Sequence, residues 1–167
     1  MNDIWLISDT HLGHDNILKF QHEDKPLRPF SNLDEMHAAI IDNWNSVVKP
    51  QDKVYHLGDV AFKDWALRLL LKCNGHKRLI LGNHDGFKSR MYLEVFEQLY
   101  GVRQLNRIWL THVPMHIAGV EQDRVIGNVH GHLHAHKINH PKYFNASVEC
   151  INYTPINLDE VTAYFKG

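Results

Sequence analysis

Five short polar groups each stand directly behind an apolar run: Asp9-Thr10-His11, Gly58-Asp59, Gly82-Asn83-His84-Asp85, Thr111-His112 and Gly131-His132-Leu133-His134. Carboxylate, carboxamide oxygen and imidazole together suit manganese, iron, zinc or nickel better than calcium or magnesium, whose shells are all oxygen. In an extended segment residues i and i+2 point the same way. Asp9 and His11 can therefore hold one ion together, and His132 and His134 can face one cavity. Asp9, His11, Asp59, Asn83, His112, His132 and His134 make seven potential ligands, more than one tetrahedral zinc can use. Two ions sharing a carboxylate is the simpler account. The glycines at 58, 82 and 131 let the backbone turn sharply beside a crowded site.

For these groups to meet, the runs before them must be strands whose ends converge. Ile4–Ile7, 54–57, 78–81, 107–110, 125–129 and 146–150 read as strands from their apolar, β-forming residues. Met36, Ile40, Trp44 and Val47 recur at helical spacing from Leu33, and Pro50 stops that helix. A second helix spans 65–71 and ends at Gly75, a third runs from Ser89 to about Leu99, and Asn157-Leu158-Asp159-Glu160 opens a short last one. Residues 12–32, with Pro26 and Pro29, read as a long loop. Strands and helices alternate in the first half, and strands dominate the second. That pattern predicts an α/β chain with a mixed sheet, or two sheets packed together, and helices outside. In open α/β sheets, sites form in the crevice at the carboxyl ends of strands.

Composition narrows the function. The 167 residues suit one domain, 1–167. With 18 Lys+Arg against 19 Asp+Glu and a formal net charge of -1, there is no broad basic field for gripping nucleic acid. Cys73 and Cys150 form no metal-ligand spacing. No apolar run approaches a membrane span, and with no export signal in view the reducing cytosol is the expected compartment. The oddity is histidine, of which there are 14. His37 and His56 fit partly buried or core positions, while His22, His76 and His140 fit the solvent. His14, Arg28 and His116, in loops leaving the polar groups, are candidate substrate contacts. His130 would turn with His132 and His134 by strand alternation, and His136 could extend the cluster. Trp5, Trp44, Trp65 and Trp109 read as core.

The ordered set Asp-x-His, Gly-Asp, Gly-Asn-His-Asp, His and Gly-His-x-His resembles the calcineurin-like metallophosphoesterase superfamily. The resemblance runs by motif from Ser8 to His134, and the length suits a small bacterial or phage-type member. It implies a four-layer sandwich, two mixed β-sheets packed together and flanked by helices. It also implies one ion on Asp9, His11 and His134, a second on Asn83, His112 and His132, and Asp59 between them. His84 would face the scissile phosphate as acid or charge stabiliser, with Asp85 orienting it or a neighbouring loop. Two divalent ions, manganese favoured and iron, zinc or nickel as alternatives, would activate a hydroxide for in-line attack. The expected substrate is a small phosphodiester or cyclic nucleotide. The alternatives are a phosphomonoesterase, a small nuclease, a non-catalytic metal-binding scaffold, or a histidine-rich metal buffer. Nucleic acid is not favoured as a partner, and a membrane is not expected. One departure is Thr111, where many relatives have glycine.

Overall fold

Side-chain alternation along Ile4–Ile7 decides how the molecule is layered. Ile4 and Leu6 face one apolar cluster, while Trp5 and Ile7 face another, so this strand is covered on both sides. The computed structural model describes residues 2–167. Its elements are β1 (Ile4–Ile7), β2 (Gln21–His22), β3 (Lys25–Pro26), α1 (Leu33–Val47), β4 (Lys53–His56), α2 (Asp64–Leu67), β5 (His76–Ile80), α3 (Ser89–Tyr92), β6 (Gln98–Tyr100), β7 (Arg103–Leu105), β8 (Ile108–Leu110), α4 (Ile117–Val120), β9 (Gly127–His130), β10 (Tyr143–Asn145), β11 (Ile156–Asn157) and α5 (Leu158–Lys166).

Two mixed sheets result. The first has the order β11-β1-β4-β5-β6, parallel except for β11 at one edge. The second has the order β10-β9-β8-β7, parallel except for β7. Leu6, Tyr55, Leu57 and Ile80 from the first sheet pack against Ile108, Leu110 and Val129 from the second. On the other face of the first sheet, Ile7, Val54 and Leu79 meet Met36, Ile40 and Trp44 of α1. The N-terminus of α1 is capped by Asn32, whose Oδ1 accepts from the Glu35 N–H at 2.9 Å. Trp44 is anchored as well as buried, its Nε1–H donating to the Asn74 carbonyl at 2.9 Å.

Parallel pairing is what brings the polar groups together. With Ile7 opposite His56 and His56 opposite Leu79, β1, β4 and β5 all end at one edge of the first sheet. The second sheet joins there through a bridge between Ser8 and Ser147 and a hydrogen bond from Val148 N–H to the Ser8 carbonyl at 3.1 Å.

Several expectations need correction. The loop 12–32 holds a 3-10 turn at Asp15–Lys19 and the β2–β3 hairpin, whose Glu23 and Asp24 both have positive φ, as a tight hairpin turn demands. The helix expected over 65–71 unwinds into a 3-10 turn after Leu67. The helix expected from Ser89 ends at Tyr92, because Leu99 is drawn into parallel pairing opposite Leu79. The strand expected at 146–150 lies upstream at Tyr143–Asn145, where Asn145 Oδ1 accepts from Ser147 N–H and turns the chain. Trp65 is 51% exposed. The outer face of the second sheet is covered by loops and the single turn of α4, with Met115, Ile117, Val120 and Ile138 over Trp109 and Tyr143. With α1 outside the first sheet and α4, loops and α5 against the second, the expected sandwich of two packed mixed sheets flanked by helices stands.

His56 ties the fold to the site. Its Nδ1 accepts from Gly58 N–H at 3.2 Å, so Nε2 carries the proton and donates to Thr10 Oγ1 at 2.9 Å, which donates on to the Val60 carbonyl. Burial pushes its pKa from 6.5 down to about 3. The unfolded chain takes up this proton below pH 6.5, and the folded chain resists it to about pH 3. Stability from His56 is therefore complete above pH 6.5 and declines by up to about 1.4 kcal/mol per pH unit as the pH falls. Urea denaturation of metal-free protein between pH 7 and 3.5 should show a shallower acid decline for His56→Gln than for wild type. An unchanged slope would remove His56 from the account.

Candidate metal centre

The polar loops leave the strands through unusual backbone. Asp9, His11, Asp59, His132 and His134 all have φ between 48° and 69°, a region non-glycine residues enter at a cost of ~1–3 kcal/mol each. The i, i+2 pairs converge as expected, but through left-handed turns and not through strand alternation. Gly58, at φ 101°, packs where a Cβ would lie 2.6 Å from His112 Nδ1. A Cβ on Gly131 would collide with Ser8 Oγ and Asp9 Oδ2.

Two donor groups form. In the first, ligand atoms of Asp9, His11 and His134 lie within 4.8 Å of one another; in the second, those of Asp59, His112 and His132 do. Asn83 belongs with the second, its Oδ1 lying 2.8 Å from His112 Nε2 and 3.0 Å from His132 Nδ1. Asp59 Oδ2 faces both, at 3.6 Å from His11 Nε2 and 3.4 Å from His112 Nε2, while its Oδ1 accepts from His84 N–H at 2.9 Å. Outer partners turn the rings. His112 Nδ1 meets the Leu57 carbonyl at 2.8 Å and His134 Nδ1 meets Glu149 Oε1 at 3.0 Å, which leaves their Nε2 atoms for the site.

The electrostatics favour a cation. Burial pushes the Asp9 and Asp59 carboxyls up, but the imidazole of His11 beside both, and that of His112 beside Asp59, outweighs it and holds both well below the usual range. Among the described residues, the buried Asp9 Oδ1 and His11 Nε2 have no hydrogen-bond partner, a costly condition for buried polar atoms. Two orphaned atoms facing the same centre, within a set of carboxylate, carboxamide and imidazole donors, fit divalent metal ions.

His84 and its neighbours complete the rim. The exposed His84 ring stands 6.2 Å from that of His11 and 5.3 Å from that of Phe62. Phe62 also stacks on His14 at 4.0 Å. Asp85 does not touch the His84 ring. Its Oδ2 accepts from the N–H groups of Asp59 and Gly82 at 2.9 and 2.7 Å, and its Oδ1 from that of Val60 at 3.0 Å. It staples the loops after β4 and β5 together, so of its two expected roles it takes the hold on a neighbouring loop and not the orienting of His84.

The three candidate substrate contacts separate. His14 lies at the site, its Nδ1 3.0 Å from His11 Nδ1, and burial lowers its pKa to about 4, with the charges of His11 and Arg28 adding to the effect. One hydrogen bond between the two Nδ1 atoms leaves His11 Nε2 facing the carboxylates of Asp9 and Asp59. Arg28 is only 1% exposed and its guanidinium is committed to protein acceptors, so it is an internal brace instead of a phosphate contact. His116 is exposed and caps α4, its Nδ1 accepting from Ala118 N–H. His130 is buried against Tyr143, with Nδ1 on the Gly131 carbonyl, and His136 packs edge-on against His22 of the hairpin at 4.6 Å. Thr111 Oγ1 donates to the Val113 carbonyl at 2.7 Å and accepts from Asn128 Nδ2 at 3.0 Å, tightening the loop behind His112. Glu149, Ser147 and Phe62 escaped the sequence reading. Glu149 carried one signal, an acid inside the otherwise apolar or small stretch 146–151.

Comparison with known proteins agrees with this arrangement. The chain belongs to the family described as calcineurin-like phosphoesterase, which matches over residues 3–161. An uncharacterized protein of Methanocaldococcus jannaschii is 38% identical, with 95% of this chain and 89% of that protein covered. The gene 66 protein of Mycobacterium phage L5 is 34% identical over 91 residues, covering 52% of this chain and 41% of that protein. The crystal structure of a protein of unknown function from Aquifex aeolicus superposes with a TM-score of 0.73 at 27% identity, covering 98% of this chain and 99% of that one. This chain is thus a metallophosphoesterase by family, with donor groups suited to divalent metals. Among the described residues no helix is long and apolar enough to cross a membrane.

Asp85→Asn removes the charge that three backbone N–H groups share. It should lower the stability of the metal-free protein by about 2–3 kcal/mol in urea denaturation. Unchanged stability would show that the carboxylate does not hold the loops.

Proposed function

We propose that this chain hydrolyses phosphodiesters at a centre of two divalent ions, with manganese favoured and a small diester or cyclic nucleotide as substrate. The observation that carries the reading is Asp59 Oδ2, set between a donor group from Asp9, His11 and His134 and another from Asn83, His112 and His132. When bound, such ions supply a water of lowered pKa and neutralise charge on the phosphoryl oxygens.

The protein's own residues do the rest. Asp9, His11 and His134 hold one side of the phosphate site, and Asn83, His112 and His132 hold the other. Asp59 fixes the spacing between them. His84 stands free at the rim, its backbone tied to Asp59 while its ring faces the opening. From there it delivers a proton to the departing ester oxygen, or stabilises the charge that grows on it. His14 keeps His11 turned inward. The rim is lined by single side chains and short loops, which suits a small ester better than a folded protein.

A comparison of metal-dependent rates on an aryl phosphodiester and the matching monoester tests the substrate class. The diester should be turned over faster, and a preference for the monoester would contradict the reading. His84→Ala should keep both ions by elemental analysis and lose rate by about 10²–10⁴-fold on an alkyl diester, with a smaller loss on the aryl diester. An unchanged rate on the alkyl substrate would refute the role of His84. Asp59→Asn should lose most metal-dependent turnover while the circular dichroism spectrum stays that of wild type.

A further inference from the structure

Arg28 and Glu149 form a buried ion pair behind the first donor group, with side chains 0% and 3% exposed. Arg28 Nε donates to Glu149 Oε1 at 2.8 Å, and the same oxygen receives His134 Nδ1 at 3.0 Å. The other end of the guanidinium reaches the ligand loop after β1: Nη1 donates to the Thr10 carbonyl at 2.9 Å, and Nη2 to the Asp9 carbonyl at 2.5 Å. One pair therefore ties the backbone of Asp9 and Thr10 to the ring of His134. These are the two sides of a group whose Asp9, His11 and His134 all hold left-handed backbone.

Stability alone does not account for this pair. Removing two charges from water is costly, and apolar residues of similar volume often serve a buried position as well or better. Nor does the second donor group have a counterpart. His112 is oriented by a backbone carbonyl. Asp85, the carboxylate behind this group's loops, accepts from the backbone N–H groups of Asp59, Val60 and Gly82, with no cation among the described residues beside it in an ion pair.

We propose that Arg28 and Glu149 are positioning residues for one ion only, the ion held by Asp9, His11 and His134. Arg28 fixes the height of the Asp9 loop, and Glu149 fixes the rotation of the His134 ring. The inference rests on the two-ion reading of the centre.

The test is manganese titration of the metal-free protein by calorimetry, with each donor group isolated in turn. His132→Ala leaves the first group intact, and His11→Ala leaves the second. Replacing the pair, R28M with E149M, should weaken manganese binding about 10–100-fold in the His132→Ala background. In the His11→Ala background it should leave the affinity unchanged. Any fall in the melting temperature of the metal-free protein caused by the pair replacement should be the same in both backgrounds. Equal weakening in both backgrounds, or none in either, would overturn the proposal. If the double replacement does not fold, Arg28→Lys keeps the charge but loses the fork across two carbonyls. It should show the same selectivity, and wild-type affinity in that variant would overturn the proposal. Wild-type protein that binds a single ion would instead overturn the two-ion reading, and this inference with it.

Discussion

The carboxylate of Asp59 lies within 3.6 Å of an imidazole behind β1 and 3.4 Å of one behind β8, so one oxygen serves both sheets. That position sets demands on everything around it. β1, β4 and β5 must be parallel and in register, so that His11, Asp59 and Asn83 leave the same edge. The second sheet must be docked closely enough for His112 and His132 to reach across. The apolar packing of Leu6, Leu57 and Ile80 against Ile108, Leu110 and Val129 fixes that separation, and the Ser8–Ser147 bridge fixes it at the edge itself. Core packing and site geometry are one constraint.

The backbone cost of the site is met by hydrogen bonds behind it. Five donors sit at positive φ, and buried partners hold the loops that carry them. Asp85 holds the Asp59 loop, His56 holds Gly58, Arg28 holds Asp9 and Thr10, and Glu149 holds His134. None of these four faces the opening where a phosphate would sit. Several are titratable groups buried close to a charged centre, so their protonation and the stability of the ligand loops are linked.

The donor residues were legible in the sequence because each closes an apolar strand, and that is where a parallel sheet puts its crevice. Leu33 to Val47 was legible for a similar reason, its apolar side chains recurring once per turn. Leu99 misled because its spacing from Val95 and Phe96 suits a helix, and only the free edge of β5 made a strand the better choice. Arg28 misled more instructively. An exposed arginine and a buried one look alike in a sequence, and its partner Glu149 lies far away in the chain. The braces were illegible because they act through tertiary contacts with no local period. The donor residues, in contrast, stand in local pattern, each behind an apolar run.

The central claim is that Asp59 stands between two ions. Anomalous diffraction from crystals soaked in manganese, recorded near the manganese edge, addresses it most directly. The account predicts two peaks about 3.5–4 Å apart, one beside His11 and His134, the other beside Asn83, His112 and His132, with Asp59 Oδ2 contacting both. A single peak, or two peaks that leave Asp59 outside the contact distance of either, would contradict it.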